Sequence, residues 1–208
     1  ANGDYRLLDS SPAIGAGTTS GAPSTDIDGK TRPTPSSTNP DMGAYENSLG
    51  SPAIVVMNVT STTDNGTYKI GDVIAITVTF SEAMTVTGTP QLTLETGTTD
   101  AVVDYSSGSG GTTLTFNYAV TSGHISSDLD YKSTSALALN SGTIKDAMGN
   151  AATLTLAAPG ATNSLGANKA IVIDGIIPTF TNIAISADNT SLSVTYSESV
   201  FNTNSGSG

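Results

Sequence analysis

The sequence predicts an all-β protein, and three observations carry that prediction. Apolar and polar residues alternate with a period of two, most clearly where Ile74, Ile76, Val78 and Phe80 fall on one face and Thr77 and Thr79 on the other. Thr, Val and Ser are punctuated throughout by 22 Gly and 9 Pro, and no window sustains helical periodicity with good helix formers. Finally, one pattern occurs twice, as Ile76-Thr-Val-Thr-Phe-Ser-Glu-Ala-Met84 and as Leu192-Ser-Val-Thr-Tyr-Ser-Glu-Ser-Val200. Each copy is an alternating strand that ends in an aromatic and runs into Ser-Glu. Each also follows a proline-led apolar segment, Pro52-Ala-Ile-Val-Val-Met-Asn-Val and Pro178-Thr-Phe-Thr-Asn-Ile-Ala-Ile. The expectation is one whole β-repeat and the opening of a second, as in an extended scaffold.

The elements follow in order. Residues 1–48 carry short apolar bursts broken every few residues by Gly or Pro, too few to bury a core alone, and read as the end of a larger upstream unit. Residues 51–175 read as a complete antiparallel β-sandwich. Its expected strands are Ile54–Thr60, Asp72–Phe80, Gln91–Glu95, Ala101–Tyr105, Thr112–Val120, Ala136–Asn140, Thr143–Lys145, Ala152–Leu156 and Lys169–Asp174. In Thr112–Val120 the residues Leu114, Phe116, Tyr118 and Val120 point inward, and Ser106–Gly111 is a hairpin turn. Residues 176–208 offer the first strands of the second repeat, with open edges that seek partners.

Composition narrows the function. With aromatics at 5% and no Trp, the core must come from Val, Ile, Leu and Ala. Against 18 Asp and Glu stand 7 Lys and Arg, a net charge of −11, so the clustered cations needed to neutralise phosphates are missing. This excludes a nucleic-acid binder and disfavours an anionic membrane surface. Cysteine is absent, which removes disulfides, thiol chemistry and Cys-based zinc sites. No apolar run is long enough to span a bilayer, and no signal peptide opens the chain.

Two resemblances become specific at this point. Tyr5-Arg-Leu-Leu-Asp-Ser-Ser-Pro-Ala-Ile-Gly-Ala-Gly17, Thr25-Asp-Ile-Asp-Gly-Lys-Thr-Arg-Pro33 and Pro40-Asp-Met-Gly-Ala-Tyr-Glu46, in that order, resemble the closing segment of bacterial right-handed parallel β-helix (pectate-lyase-like) proteins. Gly15 stands where that family usually has Asp, and Met42 where it has Ile. The family includes polysaccharide lyases, whose active sites lie on middle coils that this match does not include. Residues 51–175 resemble the bacterial Ig-like repeats of giant surface adhesins. The carrying motifs include Gly71-Asp-Val-Ile, Phe80-Ser-Glu-Ala-Met84, Leu114-Thr-Phe-Asn-Tyr118, Ser127-Asp-Leu-Asp130 and Ile144-Lys-Asp-Ala-Met-Gly-Asn150.

The resemblance implies a non-catalytic stalk or adhesive module of a large secreted or cell-surface bacterial protein, serving adhesion, gliding or biofilm formation. Its partners would be neighbouring repeats of the same polypeptide, with surface glycans or host surfaces gripped through other domains. The alternative is a set of spacer modules in a secreted polysaccharide-degrading enzyme whose catalytic coils lie upstream.

Catalysis has little local support. The lone His124 sits in a loop after a strand, without a neighbouring acid to orient it as a base. Asp26 and Asp28 have the spacing of an Asx turn. No tryptophan is available as a sugar platform. Calcium is the cofactor to weigh, because it takes about six to eight oxygens and acidic loops supply them. Strand direction places Glu82 and Asp146 at the entry end of the sandwich, and Asp174, Asp128 and Asp130 at the exit end. Glu198 of the second repeat faces back toward Asp174 across the linker Gly175-Ile-Ile-Pro178. The adhesin resemblance implies that such linkers carry calcium. The plain reading is that these acids cap turns and remain hydrated.

Overall fold

A computed structural model describes residues 7, 11–33, 39–46 and 53–200. Tyr5, Arg6, Leu8, Asp9 and Ser10 of the first motif, residues 34–38, 47–52 and 201–208 lie outside the described residues. The described residues are nearly all β, in sheets that are antiparallel but for one pairing.

The strands of the central unit are β1 (Val56–Ser61), β2 (Gly66–Lys69), β3 (Val73–Thr87), β4 (Gln91–Leu94), β5 (Ala101–Ser107), β6 (Gly111–Ala119), β7 (Ile125–Ser126), β8 (Leu137–Ala138), β9 (Thr143–Lys145) and β10 (Ile171–Asp174). A four-residue helix, α1 (Leu165–Asn168), precedes β10. One sheet has the order β1-β3-β6-β5-β4-β8, with β9 on the far end of β3, and a second has the order β2-β10-β7. In the second, β10 runs parallel to β2 and antiparallel to β7, so the last strand of the unit closes against one of the first.

Both sheets feed one core. Ile74, Ile76, Val78 and Phe80 of β3 meet Leu114, Phe116 and Tyr118 of β6, together with Leu92, Leu94, Ile171 and Ile173. The inward faces expected of these strands are therefore the observed ones. The reverse face of β3 is drier than alternation alone predicts: Thr77 is buried, and its hydroxyl donates to Thr60 O at 3.4 Å. Side-chain oxygens with a nearby backbone acceptor let a threonine occupy such a place.

Several boundaries differ from expectation for physical reasons. Instead of stopping at Phe80, β3 continues through the Ser-Glu motif to Thr87, a strand of 15 residues in all; its ladder to β6 shifts register between Thr79 and Met84. Past that irregularity the strand pairs with β9, so the bulge re-aims it from one neighbour to another. Residues 152–156 form no strand but touch the sheet through the single bridge Val55–Thr153, next to the bridge Lys145–Ala151 just before them. The short β2 and β7 and the helix α1 carry no readable period. Ser164 caps α1 by accepting from Ala167 N at 3.2 Å.

Beyond the linker, β11 (Phe180–Ile185) and β12 (Leu192–Tyr196) form an antiparallel pair. This pair repeats β1–β3 residue for residue. Val56↔Phe80, Asn58↔Thr79, Val59↔Val78, Thr60↔Thr77 and Ser61↔Ile76 correspond in turn to Phe180↔Tyr196, Asn182↔Thr195, Ile183↔Val194, Ala184↔Ser193 and Ile185↔Leu192. The same one-residue bulge interrupts both, at Met57 and at Thr181. The serine after the aromatic is also used identically. Ser81 N donates to Val55 O and the Ser81 hydroxyl accepts from Val55 N; Ser197 does the same with Thr179.

Candidate functional site at the joint between repeats

The joint begins where β10 ends. Gly175 N donates to His124 O at 2.7 Å, and Gly175 O accepts from Gly123 N at 2.9 Å. The turn that supplies these groups is closed by His124 N donating to Thr121 O at 3.2 Å. Only glycine fits against it, since a Cβ at position 175 would lie 2.4 Å from Thr121 O and 2.5 Å from His124 O. The imidazole anchors the turn to β6: it stacks on Tyr118, with Nδ1 3.0 Å from the Tyr118 hydroxyl. Burial pushes Tyr118 up to about 12. The histidine that the sequence placed on a surface loop thus braces the exit of the unit. Its ring partners are Tyr118 and Thr121, with no carboxylate among its hydrogen bonds.

The acids singled out in the sequence divide into two groups. Asp174 is exposed at the start of the linker, with Oδ1 accepting from Ile176 N at 3.3 Å. Glu198 follows Ser197, whose contacts with Thr179 hold it at the linker end of the β11–β12 hairpin; its Oε1 is buried with no hydrogen-bond partner. Glu82 takes the corresponding place after Ser81, exposed at the other end of the unit. Asp128 is exposed in the segment after β7.

Asp130 and Asp146 are occupied by backbone amides. Asp130 accepts from Tyr131 N and from Gly160 N, both at 2.9 Å, tying down the loop that leads into α1. Asp146 accepts from Met148 N, Asn150 N and Asn150 Nδ2 at 2.8–2.9 Å, closing the turn after β9. That turn faces the N-terminal segment, where Met148 shares a groove with Ala16, Gly17 and Met42. Among the described residues, no three acidic or histidine side chains gather where one metal ion could bind them all.

The N-terminal motifs are polar staples. Asp26 Oδ1 accepts from Asp28 N at 2.9 Å and Lys30 N at 2.8 Å, the Asx turn expected from its spacing, and Oδ2 accepts from Glu46 N at 3.0 Å. These bonds, led by that from Glu46 N, hold the Asp26 carboxyl below the usual carboxylate range. Buried Glu46 in turn accepts from Asp41 N at 3.0 Å and pairs with Arg32 Nε at 3.3 Å, while Asp41 accepts from Gly15 N at 2.7 Å. Three distant motifs are joined through carboxylates: Asp26 and Glu46 tie the second motif to the third, and Asp41 ties the third to the first, links that sequence spacing alone does not reveal.

Asp26-Ile-Asp-Gly-Lys30 and Asp146-Ala-Met-Gly-Asn150 turn out to be the same loop. In each the aspartate amide donates to the carbonyl four residues on, and the glycine amide donates back to the aspartate carbonyl. The shared D-x-x-G signal was present in the sequence and could have found this equivalence.

No protein-family model, curated protein or solved structure matches the chain.

Proposed function

We propose that this chain is a non-catalytic stalk segment of a secreted or surface-attached bacterial protein, in which Ig-like β-units stand in series after the closing turns of a β-helix. The observation that carries this reading is the repeat itself: the pairing, bulge and serine contacts of β1–β3 return in β11–β12 directly after a four-residue linker. A catalytic site needs one arrangement of groups in one place, whereas a load-bearing series needs the same unit again with a defined joint. The joint is defined by the clamp on Gly175 and by Pro178, whose ring fixes its own φ. The acidic surface suits an extracellular setting, in which adhesion falls to other parts of the protein.

Calcium enters this reading as a brace. Asp174 and Glu198 flank the linker, and the unpartnered Glu198 Oε1 is the group a divalent cation would satisfy.

Single-molecule stretching of the full chain tests the stalk. The central unit should unfold in one resolved event that releases roughly 40 nm of chain at about 3.6 Å per residue. Gradual yielding at low force would rule out a load-bearing role.

A further inference from the structure

Where β5 parts from β6 the flank of the central unit opens. The ladder between them runs through Ser107↔Thr115 and Tyr105↔Phe116, with an irregularity between the two, and then stops. From Asp104 back to Ala101, β5 pairs with β4 alone. A bulge bends the strand that carries it, and between the first half of β5 and the end of β6 lies a cleft of about 590 Å³. Sites for small molecules run from about 300 to 1,000 Å³. Every residue that lines this one belongs to the central unit, so the cleft is independent of the second repeat.

The lining is two-sided. Carrying the Tyr105↔Phe116 register onward sets Asp104 across from Asn117 and Val102 across from Ala119, and all four are exposed. Val102 and Ala119 supply an apolar surface, with Val102 57% exposed. The polar groups beside it are already held by the protein. Asp104 Oδ1 accepts from Gln91 Nε2 at 2.8 Å, Asn117 Nδ2 donates to Ser106 Oγ at 2.9 Å, and the His124 ring at the end of the cleft is stacked on Tyr118. Asp104 Oδ2, Asn117 Oδ1 and the Ser106 O–H have no partner among the described residues, so each can bond to a ligand. The charged residues of the lining are Asp100 and Asp104. Lys132 pairs with Asp100 at 3.2 Å, which leaves Asp104 as the uncompensated charge.

We propose that this cleft is a binding site for a neutral saccharide chain. A sugar ring has the same two-sided character as the lining, with C–H groups on its face and hydroxyls around its rim. The C–H face packs on Val102 and Ala119, while neighbouring hydroxyls donate to Asp104 Oδ2 and Asn117 Oδ1 and one accepts from Ser106. Side chains fixed in advance lose little freedom on binding, which favours a weakly hydrophobic ligand. The free carboxylate of Asp104 repels a uronate, so the site selects neutral chains over anionic ones. The inference goes beyond the stalk reading by giving the central unit a ligand of its own, and its test reads binding where the stalk test reads force.

The test titrates the full, isotope-labelled chain with cellotetraose, laminaritetraose and mannotetraose at millimolar concentration, with trigalacturonate as the anionic counterpart. At least one neutral sugar should shift the amide resonances of Val102, Asp104, Asn117 and Ala119 in a saturable way. Asp104→Ala and Asn117→Ala should each weaken binding at least tenfold. Ala119→Leu, which fills the cleft without adding a polar group, should do the same. Asp104→Asn keeps the side-chain shape and should still bind severalfold more weakly, and calorimetry checks that each variant melts with the parent. Thr112→Ala, outside the cleft, should bind as the parent does. The proposal is overturned if none of the three neutral sugars moves these four amides, or if the shifts fall outside the cleft. It is likewise overturned if trigalacturonate binds as tightly as the neutral chains, or if Ala119→Leu binds like the parent.

Discussion

Replacing Gly175 by alanine isolates the joint from the rest of the central unit. The added methyl would lie 2.4 Å from Thr121 O, 2.5 Å from His124 O and 3.0 Å from His124 N, and all three are backbone atoms of a turn held by its own hydrogen bond. Either the linker retreats or the turn does. In both cases the bonds from Gly175 N to His124 O and from Gly123 N to Gly175 O are lost or stretched. At about 1 kcal/mol net for each bond, the loss begins near 2 kcal/mol. Residual crowding adds about 1–2 kcal/mol if the turn cannot open fully. For a unit of this size, about 3 kcal/mol lowers the melting temperature by roughly 10 °C. Calorimetry measures that shift, and amide exchange at Gly123 and Gly175 locates it. Small-angle scattering should also show a broader distribution of lengths as the hairpin swings free. A melting temperature within a degree of the parent, with both amides still protected, would refute the claim that this glycine sets the joint.

The remaining predictions concern charge. The Asp26 carboxyl lies below its ordinary 3.8 in the folded chain, so the stability it contributes is complete above that value and is lost as pH falls through the lower folded one. Exchange at the amides of Asp28, Lys30 and Glu46 should therefore accelerate on acidification below about pH 4, and Asp26→Asn, which turns an N–H toward one of those donors, should give the same loss at neutral pH. Burial pushes Tyr118 and Tyr131 up to about 12, Tyr131 helped by the negative charge of Asp130. Their contribution is whole below pH 10 and disappears as pH rises toward about 12; phenolate absorbance for these two should appear together with unfolding of the central unit. Calcium at a hundred times its dissociation constant should stabilise the joint by about 2.7 kcal/mol, and Asp174→Asn or Glu198→Gln should remove the gain; an unchanged melting temperature on calcium addition would eliminate the brace.

Much of this was legible where side chains alternate. The residues Ile74, Ile76, Val78, Phe80, Leu114, Phe116 and Tyr118 fell on the buried faces that a period of two assigns them. Reading failed where structure depends on partners distant in sequence. Nothing near Thr67 announces a parallel pairing with Val172, and nothing near Thr85 announces the handover from β6 to β9. The joint was half legible. Its acids could be seen, but the clamp is built from backbone carbonyls and amides of residues 121–124, which a sequence does not display. For Asp130 and Asp146 the decisive quantity was the location of the nearest backbone amides. Gly160, Met148 and Asn150 supply them, which makes these two acids loop ties in the structure seen here.

The aromatic-Ser-Glu motif illustrates how a short repeat acquires physical meaning. An alternating strand specifies which face is buried but leaves its register against a neighbour open to slippage. The serine after the aromatic removes that freedom: its amide and its hydroxyl both engage one residue of the preceding strand, Val55 in one repeat and Thr179 in the other. With that end fixed, the bulge must fall at Met57 and at Thr181, and the aromatic must stand opposite Val56 and Phe180. Register then dictates which side chains face inward before any third strand arrives. A hairpin so constrained presents the same apolar template in both repeats.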